Sequence, residues 1–252
     1  MTAAGPPTIF AAPRRKLRAA RAQSRQTRDD PATFVLDEIV EEIAERLSFM
    51  RFEAKRALVI GEPTGKLAAH LAARGTDTVT LPVGAIDEEQ PIPGGEFDLV
   101  ANVLSLDTVN DLPGALIHLR GALAPGGIAI CALPAAGSLP ALRTAMLAAD
   151  GERPAARIHP MVDAGSGAAL LQRAGFSRQV ADSFQVKASY TALPRLVADL
   201  RDQGLTGILA SQPPNLGKSA WARAKEAFAA QADKSGRTVE TFEVLMLTGW
   251  KS

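Results

Sequence analysis

Apolar runs and helical periodicities alternate along most of this chain and divide it into strands and helices. Residues 97–104 (FDLVANVL) are a continuous apolar run opened by an acid. Asn110 or Asp111 then offers a helix cap, with Pro113 close behind, where a missing N–H costs least. Residues 115–123 follow helical spacing, with Leu116, Leu119 and Leu123 on one face. Pro125, Gly126 and Gly127 stop the helix, and residues 128–133 (IAICAL) form the next run. Runs that are apolar throughout suit a parallel sheet covered on both faces. The same pattern predicts strands at 57–60 and 78–81, so four strands of one mainly parallel sheet are expected.

The remaining periodicities place helices at 66–74, 138–149, 167–174, 193–203 and 219–231, with Asp163 and Ser166 as candidate caps for the third of these. Residues 34–50 predict an amphipathic helix: Phe34, Val35, Ile39, Ile43 and Leu47 form its stripe, and Asp37, Glu38, Glu41, Glu42 and Glu45 mostly face away. Residues 180–190 read as extended despite imperfect alternation, and 244–247 as an edge strand with Trp250 packed at its end. Residues 204–217, with Pro213 and Pro214, read as a loop.

At 252 residues, 46% hydrophobic and 22% charged, the chain has the makeup of a soluble globular α/β domain. A net charge of +1 gives no global case for nucleic acid or membrane as partner. No apolar run approaches the roughly 20 residues that span a bilayer, and no signal-peptide core stands near the start. The single cysteine, Cys131, excludes an internal disulfide and reads as a buried, inert thiol. No cluster of histidines and carboxylates has metal-ligand spacing, so no metal site is indicated. The charge is unevenly spread, however. Arg14, Arg15, Lys16, Arg18, Arg21, Arg25 and Arg28 precede any acid. Such a start resembles a mitochondrial presequence, although Pro6, Pro7 and Pro13 interrupt it. Residues 1–32 are therefore expected to be a basic arm that buries little, either solvated or docked on an acidic protein partner or an anionic lipid surface. Residues 33–252 form the domain proper.

The order strand, helix, L-x-P-G-G, strand resembles the second half of the class I S-adenosylmethionine-dependent methyltransferase fold. Residues 105–116 (SLDTVNDLPGAL) resemble the "SLHWVNDLPGAL" segment of a methyltransferase-like group. That group includes alphaproteobacterial proteins and mitochondrial complex I assembly factors, one of them a protein arginine hydroxylase. Residues 241–250 (TFEVLMLTGW) resemble the group's closing "TFEILYLTGW", and Ile9-Phe10 before the arginines resembles its opening. The resemblance implies a Rossmann-like α/β fold, mainly parallel, with a helical N-terminal arm and a helical cover over about 193–235. It also implies S-adenosylmethionine as cofactor and a protein partner or substrate.

The cofactor loop departs from the family. Residues 58–65 (LVIGEPTG) stand where the resemblance implies "LDLGCGTG". Gly61 and Gly65 remain, while Pro63 replaces the middle glycine, fixing φ and removing an N–H. Val59 replaces the family's acid, and Glu62 sets a carboxylate beside the place of the cofactor's own. No acid ends the 78–81 strand to hold the ribose, and about one helix and one strand are missing before Ile86. Asp87 and Glu88 are candidates for the adenine amine, or else a solvated acidic loop. Leu104, ending its strand, is a further candidate cofactor contact. Asp107 and Thr108 replace the family's His-Trp pair just past that strand, where ligands of parallel sheets sit. Asp107 is positioned to accept a proton or hold a guanidinium. His159 is the strongest histidine candidate for catalysis; His70 reads as structural and His118 as exposed. Three functions follow: a methyltransferase acting on a protein or small molecule, a catalytically inactive assembly factor for a respiratory complex, or a protein arginine hydroxylase. S-adenosylmethionine is expected to bind weakly or not at all. The expected compartment is the cytoplasm of a bacterium or the matrix of a mitochondrion.

Overall fold

The computed structural model describes residues 8–252, so Pro6 and Pro7 of the arm lie outside it. Its helices are α1 (Ala12–Gln26), α2 (Phe34–Phe49), α3 (Lys66–Ala73), α4 (Leu112–Ala122), α5 (Pro140–Asp150), α6 (Gly167–Arg173), α7 (Leu193–Asp202) and α8 (Lys218–Ala229). Its strands are β1 (Arg56–Ile60), β2 (Asp77–Leu81), β3 (Phe97–Val103), β4 (Leu123–Pro134), β5 (Gln179–Tyr190) and β6 (Thr238–Trp250). They form one sheet in the order β2-β1-β3-β4-β6-β5. The first four run parallel, and β6 is antiparallel to both β4 and β5. This is the mainly parallel sheet expected from the apolar runs and the Rossmann-like α/β architecture that the resemblance implies.

Local chemistry sets these elements. The acid that opens the β3 run, Asp98, accepts hydrogen bonds from the N–H groups of Lys55 (2.8 Å) and Arg56 (2.9 Å), fixing the start of β1 against β3. Asp111 caps α4 by accepting from the Gly114 N–H at 3.0 Å, and Pro113 occupies the first turn. Leu116, Leu119 and Leu123 are fully buried, each contributing about 1.5–3 kcal/mol of transfer free energy. Alternate strand residues feed two cores. Val59, Leu99, Ala101, Ile128 and Ile130 pack with α2, α3, α5, α7 and α8. Leu58, Ile60, Val100, Ala129 and Cys131 pack with α4 and α6. Burial pushes the Cys131 thiol up to about 12, which leaves it unreactive at neutral pH.

Between β2 and β3 the described chain has neither helix nor strand. One expectation is corrected. Residues 244–247 are not an edge strand: they belong to a strand of 13 residues lying between β4 and β5, with Trp250 opposite Ile128. Buried polar residues hid its length, because Thr238 and Glu240 interrupt the apolar pattern although both face inward. Glu240 is fully buried, and its carboxylate accepts from the N–H groups of Ala141 (3.2 Å) and Leu142 (2.8 Å). It thus serves the start of α5, where Leu139 takes a left-handed φ of 62° and gives no side-chain cap. His118 is half-buried rather than exposed. No helix of the described residues is long and apolar enough to cross a membrane.

Removing the Glu240 carboxylate strands two buried donors. Glu240→Ala is expected to lower unfolding free energy by about 2–4 kcal/mol. Urea denaturation checks this, and an unshifted midpoint would show that α5 starts without help from β6.

Candidate functional site

The carboxyl ends of β1, β3 and β4 open into the loops 61–65, 104–111 and 134–139, where a parallel sheet places its ligands. The basic arm lies across them. Asn110 Oδ1 accepts from the N–H groups of Ile9 (2.7 Å) and Phe10 (2.8 Å). Phe10 bridges Leu209, and the Ala11 N–H donates to the Ile208 carbonyl at 3.0 Å. From there α1 runs over the site with Arg15, Arg18 and Ala22 turned inward at positions i, i+3 and i+7, all buried. The expectation that the arm buries little is corrected: its arginines seek acids of their own chain.

Arg15 meets Glu88 through two hydrogen bonds, Nη1 to Oε2 at 2.7 Å and Nη2 to Oε1 at 2.6 Å. Its Nη2 also donates to the Ser105 carbonyl (2.9 Å) and hydroxyl (2.8 Å), and that hydroxyl donates to Glu88. Burial alone would lower the Arg15 pKa, but bonding to Glu88 more than offsets it, and the guanidinium stays charged. Glu88, fully buried, is therefore spent within the chain, whereas Asp87 is exposed and caps its own turn at the Glu89 N–H (3.1 Å).

Beneath α1 lies a cleft of about 110 Å3. Gly61, Glu62, Pro63, Thr80, Leu81 and Leu104 line it on the sheet side, and Arg18, Ala19 and Ala22 on the arm side. Gly61 has φ 89°, and a Cβ there would collide with the Val103 carbonyl, so glycine is obligatory. Gly65, at φ 74° before α3, has open space around it and does not line the cleft. Glu62 turns back on its own loop. It accepts from the Thr64 N–H (2.6 Å), the Thr64 hydroxyl and the Leu67 N–H (3.2 Å), so the start of α3 already holds an anion.

Leu104, at an unusual φ of 52°, also lines a second cavity of about 20 Å3 with Asp107, Ser138, His159, Met161 and Phe242. Asp107 approaches Arg18 at 3.5 Å and His159 Nε2 at 3.8 Å. Arg18 further donates to Thr108 (3.1 Å) and to the Thr206 carbonyl (3.1 Å). His159 is buried against the edge of Phe10, its ring nitrogens without hydrogen-bond partners among the described residues. Desolvation lowers its pKa; Asp107 opposes this, and Arg18 adds to it. Burial thus favours the neutral imidazole.

The structure thus brings Asp107, His159 and Leu104 together and sets Gly61 on the adjoining cleft. It directs Glu88 to Arg15 and leaves Asp87 and Gly65 apart from both cavities. Sequence reasoning missed Arg15 and Arg18 as site residues, since arginine in a basic run reads as solvated. The signal was their spacing with Ala22, a helical stripe in which arginine takes apolar positions. Among the described residues no three or more His, Cys, Asp or Glu side chains gather where they could hold a metal ion.

Comparison with known proteins places this architecture. The methyltransferase domain family matches residues 33–179, more than half of the chain, and the protein belongs to that family. It is 27% identical to the mitochondrial arginine-hydroxylase NDUFAF5 of Rattus norvegicus, over 92% of this chain and 75% of that protein. It is 29% identical to a malonyl-[acyl-carrier protein] O-methyltransferase of Gallionella capsiferriformans, over 68% of this chain and 58% of the relative. Among solved structures, a methyltransferase-type protein of Bacillus halodurans matches at 12% identity and a TM-score of 0.50, covering 82% of this chain and 98% of that one. The fold is that of the class I S-adenosylmethionine-dependent methyltransferases.

Two measurements test the site. Glu88→Ala leaves Arg15 buried without its partner and is expected to cost about 3–5 kcal/mol in urea unfolding. The Arg15→Ala, Glu88→Ala double variant is expected to lose less than the sum of the single losses; additive losses would mean the two side chains act independently. His159 has a folded pKa below its unfolded value near about 6.5, so below that pH the unfolded chain binds more protons. Its stabilising effect is thus complete above about pH 6.5 and is lost as pH falls through the lowered folded value. His159→Leu is expected to flatten the fall of melting temperature over that acid range, and a parallel curve would place the titration elsewhere.

Proposed function

We propose that this protein is a protein-directed factor of methyltransferase fold in which S-adenosylmethionine binding is weak or lost. The observation that carries this reading is the Glu62 carboxylate, which the loop and the start of α3 already hold. A cofactor carboxylate brought there meets a like charge. Three further features agree. Pro63 stiffens the loop, the end of β2 offers Leu81, Pro82 and Val83 in place of a ribose-binding acid, and the cleft of about 110 Å3 falls short of the roughly 300 Å3 at which ligand pockets begin. The residues present therefore do not fit a tightly held S-adenosylmethionine. What remains is a partner-recognising surface, in keeping with an assembly role for a respiratory complex, in the bacterial cytoplasm or the mitochondrial matrix.

One observation favours a second reading, a protein arginine hydroxylase, the activity for which the rat relative is named. Asp107, buried beside Thr108 and His159, already faces a guanidinium, that of Arg18. A substrate arginine could take the same place once Arg18 withdrew. Hydroxylation would also require an oxidant, which these side chains do not themselves supply.

Calorimetric titration of the full chain with S-adenosylmethionine separates the readings. The unmodified protein is expected to bind at micromolar Kd or weaker, for want of hydrogen bonds worth roughly 1–3 kcal/mol each. Val59 is packed in the core, so an aspartate there would bury a charge, and the informative change is confined to the loop. Glu62→Ala with Pro63→Gly is expected to tighten binding about tenfold or more. Sub-micromolar binding by the unmodified chain would overturn the proposal.

A further inference from the structure

The outer side of α1 forms one wall of a larger cleft. Together α1, α7 and the loop 206–216 enclose about 880 Å3. Six arginines line it: Arg14, Arg18, Arg21, Arg25, Arg157 and Arg201. Among the described residues no acid and no aromatic side chain joins them. Three are compensated from outside the lining, Arg18 by Asp107, Arg25 by Asp202 at 2.7 Å and Arg157 by Asp150 at 2.5 Å. Arg14 is held by the Leu209 carbonyl at 2.5 Å and the amide of Gln212. Arg21 and Arg201 are exposed, and neither makes an ion pair or side-chain hydrogen bond among the described residues. A chain of net charge +1 has gathered uncompensated positive charge in one concavity.

We infer that this cleft binds an extended acidic segment of a protein partner, which deepens the partner-directed reading proposed above. Its shape argues for a peptide. The α1 wall runs from Arg14 to Arg25, about 16 Å, the length of roughly five extended residues; of its arginines Arg21 is uncommitted, as is Arg201 on α7. A site for a single phosphate would instead converge its donors on one point. Leu17, which is 56% exposed, stands among them, with Val197, Ile208 and Pro213 across the cleft. An acidic peptide with interspersed apolar residues satisfies both the uncommitted Arg21 and Arg201 and these apolar side chains. Nucleic acid is disfavoured because no aromatic ring offers a stacking platform. A lipid surface is disfavoured because the arginines line a concavity instead of projecting from a face.

The test is fluorescence anisotropy of the full chain with a fluorescein-labelled seven-residue peptide alternating glutamate and leucine. Saturable binding that weakens with salt is expected. Arg21→Glu with Arg201→Glu is expected to weaken it about tenfold or more, each reversal replacing an attraction with a repulsion. Lys225→Glu with Arg237→Glu, outside the cleft, is expected to leave it within about twofold. Both positions in the first pair are exposed, so the fold should persist; should that variant melt early, Arg201→Gln alone carries the test with about a threefold loss. Leu17→Ser is expected to weaken binding too. Equal losses from the two pairs, or no binding up to millimolar peptide, would overturn the inference. So would competition by inorganic pyrophosphate at the peptide's own concentration, which would assign the cleft to phosphates, or capture by phosphatidylserine vesicles in place of the peptide. S-adenosylmethionine titration reads the opposite side of α1, so failure of this inference and failure of the proposed function remain distinguishable.

Discussion

The buried ion pair between Arg15 and Glu88 fixes the rest of the site. Glu88 has no exposed surface, and both of its oxygens are taken by Arg15 and Ser105. Lifting α1 would leave a carboxylate in an apolar setting, a state that costs several kcal/mol unless water enters or the group takes up a proton. The pair gives the arm a single register. Three residues further along, Arg18 reaches Asp107 and Thr108, and one turn beyond that Ala22 lies over the cofactor-like cleft. An apolar contact in place of the ion pair would hold the arm about as strongly but tolerate slippage by one helical position, since apolar attraction has no direction.

The two cavities share side chains and are not independent, although α1 lines only the larger. Leu104 lines both, and Arg18 closes one while pairing with the carboxylate of the other. The left-handed φ of 52° at Leu104 costs a non-glycine residue energy, which the flanking buried contacts must hold in place. Any motion that withdraws Arg18 from Asp107 therefore opens the cofactor-like cleft as well. Glu62 and Glu88 are alike in that each carboxylate is satisfied within the chain, by the start of α3 and by Arg15 with Ser105. The site is closed by its own ions.

Legibility in the sequence followed the kind of force involved. Elements held by apolar burial could be read: β1, β3, α2, α3 and α4 lie within a few residues of where periodicity put them, because Leu99, Val100 and Leu116 have nowhere to go except a core. Elements held by buried polar groups could not. β6 reads as four residues until Glu240 is seen to serve α5, and α1 reads as a helical arm that buries little, solvated or docked on a partner, until Arg15 is seen to meet Glu88, 73 positions away. A charged residue in sequence looks the same whether water or a distant partner satisfies it. At the site Asp107 and His159, which adjoin strand and loop ends, come together at one cavity, whereas the carboxylate of Glu88 turns to Arg15 in another part of the chain.

The two sides of α1 then carry opposite tasks. Its inner side spends Arg15 and Arg18 on carboxylates of the domain, and its outer side leaves Arg21 to solvent in the large cleft. On the partner-directed reading proposed above, a helix that is rigid between these sides would couple binding outside to the seal inside. The coupling is reciprocal by linkage: a partner that favours the sealed position of α1 is itself held more weakly when a ligand opens the cavities beneath, and by the same factor. Arg18 is where the two meet, since it lines the outer cleft, the inner cleft and the approach to Asp107. On the partner-directed reading proposed above, movement of that helix is a route by which the sheet's carboxyl end answers to a partner.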